Sequence, residues 1–343
     1  MATLSATNLT IGDITKRSDP NGKPARIAEL LNQTNEVLTD AVFKEGNLPF
    51  GDQVTVRTSF PGVSNRLVNQ GVAPGKSTTA QIVESCAIFE TRNEIDVDAV
   101  KGDPGAFRTS EDMAFREAMN QAMTTALFYG NTAVNAASFT GLAPRYSSLS
   151  APNAQNILDA GGTTGNLTSI YLVCWGDEFV YCPFPMGSMA GLLHEDLGIQ
   201  TVHTDAGSAG TGTLKMQAYV SRWQWKAGLA IKDWRCAGRI ANINIPDLLG
   251  VTGTQALTAS TSILRLMLRL LYRIPFRNAG KCAFYLNRTA HSGLAIAAMD
   301  KAQNVLAVQQ GMTQFGRPDT WLTFLGYPIR QVDAIVNNEA RIV

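Results

Sequence analysis

The chain begins with a polar stretch, residues 1 to about 24, rich in Gly, Pro, Asp and Asn, which reads as an extended arm. From Lys23 to Phe43 the apolar positions Ile27, Leu30, Leu31, Val37, Leu38, Ala41 and Val42 gather on one side of a 3.6-residue repeat, predicting an amphipathic helix. The period then drops to two. VTVRTSF (54–60) alternates, and QIVESCAIFETRNEIDVD (81–98) is a second strand-like run. In that run Ile82, Cys86 and Ile88 fall on one side and Val83, Ala87 and Phe89 on the other. PGVSNRLVNQGVAPGKST lies between them, so the pattern predicts a long two-stranded arm with a Gly/Pro-rich tip. A two-stranded ribbon is marginal alone in water, and such an arm must rest on this chain or on a neighbouring copy.

Helical periodicity returns in RTSEDMAFREAMNQAMTTALFYGN. Thr109-x-x-Asp112 resembles a capping box, Glu111 and Asp112 fall in the predicted first turn, and Gly130 is placed to stop the helix. Residues 110–129 would span about 30 Å. Their stripe of Phe115, Ala118, Met119, Ala122, Met123 and Ala126 is ordinary core packing more often than a cofactor box. SIYLVCWG (169–176) predicts a buried strand. Residues 214–245 predict two or more long antiparallel strands, with Tyr219, Trp223 and Trp225 on one face. The preceding HTDAGSAGTGT reads as a mobile loop. SILRLMLRLLYRIP (262–275) predicts a helix ended by Pro275. CAFYLNR, a helical HSGLAIAAMDK and the strand pair TWLTFLGYPIRQVDAI complete the chain.

Composition sharpens this picture in one respect. Over 343 residues, 45% are hydrophobic but only 17% charged, against about 25% in typical soluble proteins, which suggests a surface largely covered by partners. The net charge of +1 gives no global attraction to nucleic acid or acidic membranes. No apolar run is long enough to span a bilayer, and the N-terminus lacks an export pattern. Five scattered cysteines without C-x-x-C fit free thiols in a reducing cytoplasm, and three histidines have no metal-binding spacing.

Candidate chemistry is weak throughout. GVAPGKST (71–78) ends like a phosphate-binding loop, but G-x-x-x-x-G-K-[ST] requires glycine where Gln70 stands, and a strand-like run follows instead of a helix. Gly187-Ser188-Met189-Ala190-Gly191 misplaces the serine of a nucleophile elbow. Gly207, Gly210 and Gly212 do not make a dinucleotide fingerprint. His194-Glu195-Asp196 has catalytic composition but no nearby nucleophile, and reads as a surface or interface cluster. Arg265, Arg269 and Arg273 form a basic stripe suited to a solvated face or a protein interface. Lys16, Arg17, Lys23 and Arg26 could touch nucleic acid weakly. No catalytic residue, metal ligand or cofactor site is expected.

The order of arm, long hairpin, long helix, antiparallel strands and terminal α/β lobe suits a shell subunit, which must reach across its neighbours. The runs AELLNQTNEVLTDAVFKEGNLPFGDQVTVRTSFP, RLVNQGVAPGKSTTAQIVESCAIFE, SEDMAFREAMNQAMTTALFYGNT, FTGLAPRYSSLSAPNAQNILDAGG, FPMGSMAGLLHEDLG and RWQWKAGLAIKDWR resemble the major capsid proteins of tailed double-stranded-DNA bacteriophages, in the branch found in short-tailed phages. The resemblance covers residues from about 10 to the end. It implies an α+β capsid fold shared by tailed phages and herpesviruses. Its parts would be an N-terminal arm (1–45), an E-loop (46–104), a P-domain spine helix (105–149) and P-domain sheet (178–245), and an A-domain from 150–177 and 246–343. It further implies a structural, non-enzymatic subunit of hexamers and pentamers in an icosahedral virion shell assembled in the host cytoplasm. The shell would touch packaged double-stranded DNA non-specifically at its inner surface, with decoration, scaffold and portal proteins as further candidate partners and no membrane. Lys76, Arg66, Arg265, Arg269 and Arg273 are the expected intersubunit contacts. The alternatives are a nucleotide-binding enzyme using the Gly-Lys-Ser-Thr loop, and another phage structural protein such as a decoration protein.

Overall fold

The computed structural model describes residues 31–100, 104–163, 165–203, 215–249, 262–275, 280–299, 306–312 and 318–343. The N-terminal polar arm, its four cations and nearly all of the HTDAGSAGTGT loop lie outside them. Strands follow the chain as β1 (Phe43–Glu45), β2 (Gly51–Ser59), β3 (Thr78–Asp96), β4 (Ile157–Asp159), β5 (Leu167–Trp175), β6 (Val180–Phe184) and β7 (Leu192–His203). They continue as β8 (Lys215–Gly228), β9 (Ala230–Ile231), β10 (Ala237–Asn244), β11 (Lys281–Leu286), β12 (Leu306–Met312), β13 (Pro318–Phe324) and β14 (Tyr327–Gln331).

In the described part of the 23–43 segment only Val37–Asp40 is helical. Sheet pairing overrides the helical period beyond it: Cys182 donates its N–H to Val42 O at 2.7 Å, and β1 runs parallel to β6. The chain forms two compact units. One comprises Met1–Asn35, Ile88–Thr124 and Gly191–Lys226, the other Glu36–Ala87, Thr125–Ala190 and Ala227–Val343.

In the first unit, β7 and β8 pair antiparallel from Leu192 opposite Trp225 to His203 opposite Lys215, with a register shift between Asp196 and Gly198. β8 borders β3 on its other side. The long helix, Pro104–Tyr129, begins five residues before Thr109, so the capping-box expectation fails. Proline presets φ for a first helical turn and needs no N–H partner there, which moves the start upstream. Thr109 Oγ1 instead donates to Gly105 O at 2.9 Å, one turn back. Asp112 accepts from Asn93 Nδ2 of β3 at 3.0 Å and so fixes helix to sheet.

In the second unit the principal sheet runs β1-β6-β5-β11-β14-β13-β12, with β10 also pairing β5 and β4, and β9 pairing β6. All of β5 is buried, as its apolar run from Ile170 to Trp175 requires, and Thr168 and Ser169 are buried with it. β8 and β10 join different sheets instead of pairing with each other, against the simplest reading of residues 214–245. A one-turn 3₁₀ segment, Trp234–Cys236, separates them, and Asp233 caps it by accepting from Arg235 N. The helix Ile263–Arg273 buries Leu264, Leu266, Met267, Leu270 and Leu271 and packs on β10. The hairpin β13–β14 turns at Leu325 and Gly326.

Two buried features escaped the sequence pattern. Cys174 and Cys282 lie opposite each other in the β5–β11 register and are disulfide-bonded, which corrects the expectation of five free thiols. Cys86, Cys182 and Cys236 are free. The Arg239 guanidinium is held by Glu339 Oε2 at 2.9 Å, Ser169 Oγ at 3.0 Å and Tyr146 O at 2.9 Å, over the ring of Tyr171. Tyr129 also donates to Glu339, and burial followed by the nearby Tyr171 and Glu339 pushes the Tyr129 hydroxyl far up.

The long helix ends at a close approach. Gly130 N donates to Ala126 O at 2.8 Å, and Gly141 N donates to Gly130 O at 2.8 Å, closing a loop over residues 131–140. A Cβ on Gly130 would lie 2.5 Å from Phe139 O, and one on Gly141 would lie 2.6 Å from Ala126 O. The helix stops before Gly130 as expected, but glycine is required there by the close backbone approach and not by a left-handed cap.

Candidate assembly surface

The arm predicted from alternation is built as an antiparallel pair, with Gly51 opposite Ser85 and Val56 opposite Ala80. Its base is anchored inside the second unit. Arg145 donates Nη1 to Glu84 Oε1 at 2.7 Å and Nη2 to Glu84 Oε2 at 2.6 Å, a bidentate pair with side chains 19% and 9% exposed. The same guanidinium donates to Thr140 O and Leu229 O. Tyr181 donates to Asp52, and Cys86 Sγ donates to Pro183 O at 3.3 Å. Burial, then the Asp52 charge, pushes the Cys86 thiol up to about 11, so it is a packing thiol and not a nucleophile.

Beyond Ser59 the chain leaves the sheet. Thr58 and Ser59 hydroxyls meet Thr78 Oγ1 at 2.8 and 2.6 Å, and residues 60–76 are exposed throughout. Phe60, Val63, Leu67, Val68 and Val72 all face solvent, Val63 at 94%. Single exposed apolar residues are ordinary, but five in one projecting segment mark an interaction surface. Its charges are Arg57, Arg66 and Lys76, with no acid between Gln53 and Glu84. Gly75-Lys76-Ser77 runs straight into β3, so it lacks the helix N-terminus that a phosphate loop supplies.

The other sequence candidates separate in space. Arg265, Arg269 and Arg273 are exposed along one face of their helix. Burial and the neighbouring Arg269 charge lower the Arg273 pKa, and Arg273 Nη1 approaches Ile157 O at 3.5 Å. His194 stacks on Trp223 with ring centroids 4.1 Å apart, and its Nε2 lies 3.9 Å from Asp112 Oδ2. Glu195 points to the other side of β7 and pairs with Arg222, which also binds Glu90 at 2.9 Å. Asp196 accepts from Arg108, whose hydrogen bond holds its carboxyl below the usual range. The three neighbours in sequence thus tie β7 to the long helix, β8 and β3. Among the described residues no cluster of His, Cys, Asp and Glu could hold a metal ion.

The family model described as major capsid protein GP7 matches residues 19–343. The chain belongs to the major capsid protein GP7 family and is a structural capsid subunit with the tailed-phage capsid fold. A chain in the near-atomic structure of bacteriophage epsilon15 is 27% identical, with 100% of this chain and 99% of that one covered and a TM-score of 0.75. The bacteriophage JBD30 capsid is 10% identical over 89% of this chain and 92% of its own, with a TM-score of 0.45. The capsid of a native GTA particle is 9% identical over 63% and 92%, with a TM-score of 0.43. No curated protein matches the chain.

Proposed function

We propose that the chain assembles with copies of itself into hexamers and pentamers of an icosahedral virion shell around double-stranded DNA, formed in the host cytoplasm, with no catalytic activity. The full-length likeness to the epsilon15 chain carries this reading. Within it, residues 1–45 are an N-terminal arm and 46–104 an E-loop laid over a neighbour. The long helix is the P-domain spine, with β7 and β8 as its sheet. Residues 150–177 and 246–343 make most of the A-domain. β6 and β10 pair with β5, which favours a P-domain sheet narrower than residues 178–245.

Magnitudes support many contacts per subunit. Fully burying a large apolar side chain contributes about 1.5–3 kcal/mol. The five apolar side chains at the hairpin tip would therefore contribute about 7–15 kcal/mol if fully buried, the same order as the ~4–15 kcal/mol that association costs. A stable shell needs further surfaces, for which Arg66, Lys76, Arg265, Arg269 and Arg273 are proposed as intersubunit contacts. Decoration, scaffold and portal proteins are proposed partners, and the packaged DNA is contacted non-specifically. Electron microscopy of the chain expressed alone and purified by size is the test. Closed shells, or rings of five and six copies, are expected. A monomer that stays monomeric even with its phage's other structural proteins would overturn the reading.

A further inference from the structure

The hairpin tip is apolar and basic, so its receptor must be apolar and acidic. Among the described residues of the second unit, a surface with that character lies at the base of the hairpin. The turn before β2 exposes Phe50 at 64%, and the loop after β6 exposes Met186 and Met189, the latter at 75%. Glu45 is exposed beside them. These groups come from two separated segments, yet they are held as one surface. Gly46 N donates to Phe184 O at 2.9 Å, Met186 N to Leu48 O at 3.4 Å and Gly187 N to Glu45 Oε1 at 2.7 Å. Ser188 Oγ closes the second loop on Pro185 O at 2.6 Å. The patch is therefore preformed, and binding there requires little ordering. Methionine side chains are adaptable and suit an irregular apolar partner. Glu45 uses one carboxylate oxygen on Gly187 and has no basic side chain paired to it among the described residues.

We infer that the Glu45/Phe50/Met186/Met189 patch is the docking site for the hairpin tip of a second copy, with Leu67 and Val68 seated on the methionines and Lys76 or Arg66 facing Glu45. This rests on the capsid reading and adds the receptor to it. The tip and the patch lie at opposite ends of the same hairpin. Each copy would therefore offer its tip to the next copy and receive another at its base, a head-to-tail contact that gives rings where its rotation closes. Such a contact matches two unlike surfaces of one chain, as the differing charge of tip and patch requires.

Site-directed cross-linking tests it. Leu67→Cys and Met189→Cys are placed in one chain, shells are assembled and oxidised, and denatured samples are run without reductant. The double variant is expected to give a ladder of covalent multimers, and each single variant none. Intact shells without a ladder would overturn the inference and leave the capsid reading standing. An unaltered chain that stays monomeric even with its phage's other structural proteins would instead overturn the capsid reading. If the cysteine variant does not assemble, charge removal decides. Lys76→Gln with Arg66→Gln should lower shell yield severalfold, and Glu45→Gln, which keeps the acceptor for the Gly187 N–H but removes the charge, should lower it by a similar factor. Combined, the changes should cost no more than either alone, and losses that simply multiply would overturn the assignment.

Discussion

Replacing Glu84 by Gln removes one charge from the hairpin base and keeps its shape. Glu84 accepts both terminal nitrogens of Arg145, and the pair is largely shielded from water. Removing one member of a buried ion pair typically costs about 3–5 kcal/mol, since the other is left uncompensated. Arg145 keeps its bonds to Thr140 O and Leu229 O, so the loss should sit near the lower end, about 3 kcal/mol. That corresponds to roughly a hundredfold change in an opening equilibrium. The opposite variant, Arg145→Met, should cost at least as much, because Glu84 then has no described partner at all. Hydrogen exchange in the unassembled subunit reads the effect directly. Amides of residues 80–86 should exchange about a hundredfold faster in Glu84→Gln, while those of β5 change far less. The pair Glu84→Leu with Arg145→Met should recover much of the loss, because no charge is stranded. Unchanged protection over residues 80–86 in Glu84→Gln would refute the argument that this ion pair anchors the hairpin.

Arg239→Met strands the Glu339 carboxylate among Tyr129, Ser169 and Tyr171, so thermal unfolding should show a loss of about 3–5 kcal/mol or a failure to fold. Gly130→Ala forces a Cβ against Phe139 O, and a drop in melting temperature larger than that of the exposed change Val134→Ala is expected. In the first unit, the Arg222 hydrogen bond holds Glu90 low and the Arg108 hydrogen bond holds Asp196 low. Carboxyls depressed on folding contribute stability above their unfolded range, near pH 4, and lose it as pH falls through the lower folded values. Stability should thus be level near neutrality and fall below about pH 4, with an acid limb that Arg222→Met makes shallower; both carboxylates are near the surface, so the effect is modest. Peptide mapping without reductant should recover Cys174 joined to Cys282, and finding both as free thiols would contradict the pairing.

Elements whose signal is local were legible in the sequence. The apolar run Ile170–Trp175 of β5 and the four-residue spacing of Arg265, Arg269 and Arg273 each report their surroundings without help from distant residues. The start of the long helix was not, because Thr109-x-x-Asp112 looks the same inside a helix as at its end, and Pro104 decides between them. Pairings set by sheet register were also hidden. Cys174 and Cys282 are 108 residues apart, and Arg239 and Glu339 are 100 apart. No spacing rule reports which strands will be neighbours. The hairpin tip was readable as a turn, but the patch proposed as its receptor was not, since the segments around Glu45 and Met186 are joined only by hydrogen bonds between two loops far apart in sequence.

The glycine clamp at the end of the long helix bears on how the molecule can be altered. Gly130 and Gly141 hold the two ends of the 131–140 loop together by a backbone hydrogen bond, and Thr132 and Thr140 reinforce it at 3.1 Å. Residues 132–137 are exposed, with Val134 at the outside. Closure of this loop is thus fixed before the loop's own sequence matters. Doubling the length of a flexible loop costs only about 0.6 kcal/mol in closure entropy. A foreign peptide grafted between Ala133 and Ala136 would hang from a closed clasp, leaving the fold on either side undisturbed. Because the graft is carried by the chain itself, every copy of the subunit would bear the same peptide at the same point.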